Sequence, residues 1–270
     1  MYEIAQAIAP GWERQRARIE ETTAPVREWM LGELAPQPGD TLLELAAGAG
    51  DTGFQAVAIA GADGRLISTD FSPAMVDAAR RRAAELGLEN VDHRVMDAER
   101  IELDADSVDG VLCRFGFMLM PDSAAAFAET RRVLRPGGRL VLAVWSAPER
   151  NPWASIGYGL LVERGLMPPP EPGAPSPFAL ASEDDTRTLL MGAGFSQVRS
   201  EHVSVRFRFR DIDDYTEFSA DTGGPAALVL RDLPEDEREA LQKQLNSAFS
   251  PFRTDGGYEL PGVALVAVAS

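Results

Sequence analysis

Apolar positions recur along the chain with two periods, and the switch between them predicts the elements. Short, nearly continuous apolar runs at residues 42–45, 64–70, 91–96, 107–112 and 135–145 read as buried strands. Between them, apolar residues return every three or four positions, as helices require. Val26, Trp29, Met30 and Leu34 share one face over residues 23–34, which Pro36 and Gly39 end; residues 1–20 read as a further short helix. Phe54, Val57 and Ile59 mark a helix ending near Gly61, Ser72-Pro73 opens one running to about Gly87, and residues 123–135 form another. Strand, helix and strand alternate, which predicts an α/β fold around a mostly parallel sheet. Beyond Trp145 the pattern loosens. Residues 151–166 look helical, 167–177 (MPPPEPGAPSP) read as a loop, and 182–191 form a helix with a Ser182/Asp185 capping pattern. A strand follows at 198–209, helical cover at 211–256 (a helix at 235–249 places Leu241, Leu245 and Phe249 on one face), and an apolar strand at 262–269. No internal repeat is evident.

The stretch at 42–53, LLELAAGAGDTG, carries the first chemistry. A buried strand runs into Gly48 and Gly50, which allow a tight turn and close approach of a ligand, and Asp51 or Thr52 can cap the helix that follows. Strand, glycine turn and helix N-terminus together make a nucleotide-cofactor site. Gly48-x-Gly50-x-x-Gly53 matches the dinucleotide fingerprint, with Asp70 at the distance of a ribose-binding acid. Glu44 points elsewhere. A carboxylate at that strand end repels a pyrophosphate and favours a sulfonium cofactor that carries an ammonium group. Asp70 suits either cofactor, and Phe71 and Met75 can pack against an adenine.

Five fragments then occur in order at suitable spacing: LLELAAGAGDTG, ISTDFSP, RVMDAE, VDGVLCRFGF and RVLRPGGRLVL, over about residues 40–146. In this the chain resembles the class I S-adenosylmethionine-dependent methyltransferases, and GAGD followed by FGFM is most similar to the branch containing the ubiquinone/menaquinone biosynthesis methyltransferases. The resemblance implies a Rossmann-like sheet of seven strands, the last inserted antiparallel between the fifth and sixth, with helices on both faces and a helical cap. It implies one domain over 1–270: helical cover at 1–36, a cofactor-binding core at 37–146, and a C-terminal half at 147–270 with cap insertions at about 147–180 and 211–256. It assigns S-adenosylmethionine, leaving as S-adenosylhomocysteine, to Glu44, Ala46, Gly48, Gly50, Asp70, Phe71 and Met75. Asp97 is expected to reach the adenine amino group and the Ala98 N–H the ring. Cys113 and Arg114 are expected to border the methionine portion, Arg114 pairing with its carboxylate. Ala46 and Ala47 replace the common Gly-Cys or Gly-Gly pair yet remain small.

Methyl transfer from a sulfonium is an in-line displacement that needs no covalent intermediate, so the lack of a Ser-His-Asp or Cys-His set is no obstacle. No catalytic residue is identified; His202, Glu217 and Asp221 are candidates for a base, and Cys113 reads as a small buried residue. Phe115, Phe117, Met118, Trp145, Trp153, Tyr158 and Phe178 can line a pocket for a small apolar or aromatic acceptor, methylated on carbon or oxygen. Two alternatives are an NAD(P)-dependent oxidoreductase, which leaves Asp97 and the Pro-Gly-Gly turn unexplained, and a non-catalytic methyltransferase-like binding protein.

Composition narrows the partners. A formal charge of −16 over 270 residues argues against nucleic acid. A single cysteine and two distant histidines leave no intrachain disulfide and point to no metal site. No run approaches the roughly 18 apolar residues of a membrane span, and the N-terminal residues lack a leader pattern, so a cytoplasmic protein is expected; a monomer or a homodimer is the expected state.

Overall fold

The computed structural model describes residues 2–171 and 173–270; Met1, within the first predicted helix, and Pro172, within the predicted loop, lie outside the described residues. Helices α1 (Tyr2–Thr22) and α2 (Ala24–Leu34) precede the sheet. The core then alternates β1 (Thr41–Glu44), α3 (Asp51–Ala60), β2 (Arg65–Asp70), α4 (Pro73–Glu85), β3 (Val91–Val95), β4 (Val108–Arg114), α5 (Ser123–Val133) and β5 (Leu134–Trp145). The C-terminal half contributes α6 (Pro152–Glu163), α7 (Glu183–Gly192), β6 (Val198–Phe209), α8 (Ile212–Thr222), α9 (Pro225–Arg231), α10 (Glu235–Ala248), β7 (Arg253–Thr254) and β8 (Gly257–Ala269).

Strand order is β3-β2-β1-β4-β5-β8-β6, with β7 pairing off this path to β8. The first five strands are parallel, and β8 runs antiparallel between β5 and β6. The seven expected strands are therefore present in the expected arrangement, and the two-residue β7 adds an eighth. Several boundaries differ. The helix predicted at 123–135 stops at Val133, because Leu134 already pairs with Val108, so the Pro-Gly-Gly turn is absorbed into β5. The last strand begins at Gly257 rather than 262, and β4 extends through Cys113 and Arg114.

One contiguous apolar cluster joins these layers, from Val26 and Met30 of α2 through Leu42, Val111 and Leu142 of the sheet to Phe249 and Leu265. Right-handed crossovers place α3 and α4 on one face, where α2 also packs across β4, β5, β6 and β8; α5 and α7 pack against each other on the other face. The strand order reverses between β1 and β4. Chains leave those two carboxyl ends for opposite faces, opening the crevice where ligands bind in such sheets.

Candidate functional site

The crevice is built on two left-handed residues. Ala46 leaves β1 at φ +50 and Phe115 leaves β4 at φ +61, a conformation costly for a residue with a side chain. Gly116, beside Phe115, is packed so closely that a Cβ there would stand 2.5 Å from the Ala46 Cβ and 2.6 Å from the Cys113 Sγ. From Ala46 the chain turns through Gly48 (φ +55) and Gly50 (φ +88) into α3. Gly50 itself caps that helix with no side-chain hydrogen bond, so the expected capping by Asp51 or Thr52 does not occur. Asp51 is the first helical residue, and its carboxylate pairs with Arg16 of α1 (3.2 Å) and Arg82 of α4 (3.7 Å).

Two acids hold the turn from beneath. The Gly48 N–H donates to Asp70 Oδ2 (3.0 Å), and the Ser72 N–H to Asp70 Oδ1 (2.9 Å), tying the turn to the tip of β2. The Gly53 N–H donates to Glu44 Oε1 (2.9 Å), while a Cβ on Gly53 would overlap Glu44 Oε2. Position 53 must therefore be glycine because of Glu44. Burial pushes Glu44 well above the usual carboxylate range, against the opposing pull of the Gly53 N–H and Arg114; burial also raises Asp70. Glu44 is thus a buried strut rather than an open negative patch.

The turn has the features of a ligand cradle. No atom lies within 4 Å of where a Cβ on Gly48 would stand, so its outer face is open. Glu44 Oε2, Thr52 Oγ1 and Ser72 Oγ are buried without hydrogen-bond partners around it. Each Asp70 oxygen, holding one backbone N–H, has a lone pair left for a ribose hydroxyl. Phe71 is exposed beside it, and Met75 is half-buried in the first turn of α4. At the end of the neighbouring β3, Asp97 is exposed with Oδ1 accepting from the Glu99 N–H (2.9 Å), and Ala98 is buried. These residues fit an adenosyl group with a polar tail.

Cys113 is fully buried, and its thiol is pushed up to about 12 by burial. Arg114 reaches the N-terminal cover. Its guanidinium donates to Thr23 Oγ1 (2.7 Å) and pairs with Glu20 on the N-terminal cover, partners 91 and 94 positions away. Phe117 is fully buried against Phe127 (centroids 4.4 Å apart) and belongs to the core beneath α5. Met118 is buried, its sulfur accepting from the Trp145 N–H (3.5 Å). Phe115 and Trp145, at adjacent strand ends, stack with centroids 4.2 Å apart and ring planes 10° from parallel. Trp153 meets Trp145 edge-on (4.9 Å) and stacks on Phe207 of β6 (4.0 Å), a partner no local signal indicated. Tyr158 donates its hydroxyl to the Pro168 carbonyl (3.1 Å), and Phe178 packs against the core.

The candidate bases do not gather at the crevice. His202 is exposed on β6 and Glu217 exposed on α8, while Asp221 is buried and already accepts from Arg14 and from Gln15 (2.9 Å). Two surface clefts, of about 520 and 660 Å³, lie away from the glycine turn, one between α1 and β6 and the other beside α10 and β7. Neither contains any of the residues above.

A parallel sheet with one inserted antiparallel strand, and a glycine turn at its switch point, defines the class I S-adenosylmethionine-dependent methyltransferase fold. Residues 26–168 match the ubiE/COQ5 methyltransferase family, and the chain belongs to that family. Its cofactor is accordingly S-adenosylmethionine rather than a dinucleotide. Similar proteins include an arsenite methyltransferase of Halobacterium salinarum, 37% identical over 67% of this chain and 45% of that one. A demethylmenaquinone methyltransferase of Clavibacter sepedonicus is 35% identical over 48% of this chain and 51% of that one. The chain thus spans about half the length of these curated relatives. A SAM-dependent methyltransferase of Aquifex aeolicus shares the fold at a TM-score of 0.50, with 23% identity over 66% of this chain and 83% of that one. Among the described residues, no helix is long and apolar enough to cross a membrane.

Proposed function

We propose that this chain transfers the methyl group of S-adenosylmethionine to a small apolar or aromatic acceptor, on carbon or oxygen. The stack of Phe115 on Trp145 at the carboxyl ends of β4 and β5 carries this reading, because it sets an aromatic wall at the switch-point crevice. The cofactor supplies an activated methyl group on a sulfonium. The work left to the protein is to hold the acceptor in line and keep water out. On this reading Gly48, Gly50 and Asp70 bind the adenosyl group together with Phe71, Met75, Asp97 and Ala98. The core at 37–146 holds the cofactor, and segments 1–36, 147–180 and 211–256 cover the acceptor.

Arsenite is the less favoured acceptor. Arsenic(III) is held by soft thiolates, and the one cysteine of this sequence is buried with its thiol near 12, so it supplies no thiolate at neutral pH.

The test supplies the full chain with methyl-labelled S-adenosylmethionine and a panel of reduced naphthoquinones, phenols, catechols and arsenite. Label is expected on a quinol or phenol; label on arsenite alone overturns the acceptor class. In calorimetry Asp70→Ala is expected to weaken S-adenosylhomocysteine binding by about tenfold to a hundredfold, since it removes the ribose acceptor and the Gly48 anchor together. Binding of NAD(H) in place of S-adenosylhomocysteine would refute the cofactor.

A further inference from the structure

Arginines gather at one corner of this acidic molecule. Along the end of β6, Val205, Phe207 and Phe209 turn inward, while Arg206, Arg208 and, just beyond the strand, Arg210 are exposed. Alternation sets these guanidiniums on one face at about 7 Å per step. Arg18 of α1 joins Arg206 and Arg208 in lining the cleft between α1 and β6. The four cations share two acids. Glu259 pairs with Arg206 and with Arg208 (2.9 Å), and Asp214 with Arg18 (2.7 Å) and Arg210 (3.4 Å). Glu21 is the one acid among the residues lining the cleft. Cations therefore outnumber acids here, in a chain of net charge −16.

Arg18 is the informative member. Its guanidinium lies over the rings of Phe209 and Phe218, 5.6 and 5.8 Å from their centroids, with Nη2 fixed on Asp214. Its Nη1 is buried with no partner in the molecule, a costly state for a charged donor. Arginines on an edge strand discourage edge-to-edge pairing, which accounts for Arg206 and Arg208 taken alone. It does not account for a guanidinium held on a neighbouring helix with a donor to spare. The cleft measures about 520 Å³, within the range of small-molecule sites. Ala17, Pro25 and Val205 give it apolar lining beside the arginines, and Ser204 adds a hydroxyl. Such a lining suits an anionic head on a compact organic body. Three guanidiniums exceed what the single charge of a carboxylate requires. A phosphate ester, with a charge of about −1.5 to −2 and three acceptor oxygens, matches them better.

We propose that the cleft between α1 and β6 binds the phosphate group of an organic phosphate ester, at a site separate from the methyl-transfer crevice. Arg18, Arg206 and Arg208 take the phosphate oxygens, and the apolar lining takes the organic body. The site stands whatever cofactor fills the crevice.

The test titrates the full chain with phenyl phosphate by calorimetry, and in parallel measures binding to phosphatidylcholine vesicles with and without phosphatidic acid. Phenyl phosphate is expected to bind the wild type and to weaken about tenfold or more in Arg18→Gln and in the double variant Arg206→Gln/Arg208→Gln, the size of lost charge-assisted bonds. The double variant alters only exposed side chains, so it tests the site even where Arg18→Gln loosens α1. Arg80→Gln removes the same charge from α4, which packs at the other edge of the sheet, and is expected to leave binding unchanged. Benzoate, of similar shape with a single charge, is expected to bind about fivefold more weakly or worse. Vesicle binding that needs phosphatidic acid and is lost in the same variants would assign the phosphate to a lipid headgroup; phenyl phosphate binding without it assigns a soluble ester. Binding of neither probe, binding that persists in the double variant, or a loss that Arg80→Gln reproduces overturns the site. Benzoate binding as tight as phenyl phosphate overturns the phosphate.

Discussion

Glu44 holds Gly53 with one carboxyl oxygen and offers the other to nothing. Burial raises its folded pKa above the unfolded value, so the stability tied to its proton is fully present below the unfolded pKa and is lost as pH rises through the folded one. Asp70 and Asp51, also raised chiefly by burial, share that sign. Asp92, lowered chiefly by its hydrogen bond from Arg94, has the opposite one. In Glu44→Gln the acceptor for the Gly53 N–H survives and the titration disappears. The variant's melting temperature relative to wild type is expected to climb as pH rises above the ordinary carboxylate range in thermal unfolding. A difference that stays flat would show that Glu44 carries no pH-dependent penalty. The acid was legible from its place before the glycines, but its role was not. A reading of the motif alone sets it facing an ammonium; the fold turns it under the helix, into the space that Gly53 leaves by lacking a side chain.

Among elements, the joint of β5, α6 and β8 depends on one side chain. Asn151 is fully buried, with Nδ2 donating to the carbonyls of Ser146 (3.0 Å), Ala147 (3.2 Å) and Val263 (3.1 Å). Its Oδ1 accepts from the Val263 N–H (2.9 Å) and from Trp153 Nε1 (3.1 Å). It thereby fixes the antiparallel strand beside the aromatic wall. Asn151→Ala removes the partner of the Ser146 carbonyl and of the Val263 N–H, while the Val263 and Ala147 carbonyls keep the Ser146 and Arg150 N–H groups, and it is expected to lower unfolding stability by about 2–4 kcal/mol in urea titration. A loss under about 1 kcal/mol would mean that water replaces it. The strands and helices on either side follow from apolar periodicity. Their boundaries shifted where pairing overrode local signals: the Pro-Gly-Gly turn lies within β5 because Leu134 finds Val108, a residue on another strand.

At the scale of the whole molecule, α1 is held across the core and the cap largely by charge. Arg14 and Gln15 reach Asp221 and Arg18 reaches Asp214, both on α8, while Arg16 reaches Asp51 and Glu13 meets Arg81 of α4. Gly11 allows the close approach, since a Cβ there would overlap the Asp221 backbone. The sheet is held by apolar burial, which salt does not weaken. At about 1 M salt, where screening acts within about 3 Å, amides of α1 are expected to exchange hydrogen faster while those of β1 and β4 stay protected, as read by mass spectrometry. Equal protection at both ionic strengths would assign α1 to apolar packing instead.

The parallel α/β core, the strand-turn-helix around Gly48 and Gly50, and the acid at the tip of β2 were all legible in the chain read alone. Each of these lies in a contiguous segment whose periodicity, glycines and spacing are local properties. Which side chains meet around the crevice was set by packing. Arg114 turns to Glu20 and Thr23, Trp153 stacks on Phe207, and Phe117 sinks against Phe127 while Phe115 stays at the wall. Apart from Phe117 and Phe127, those partners come from segments far apart in the chain. Their meeting depends on how helices and strands pack, which no window of sequence contains.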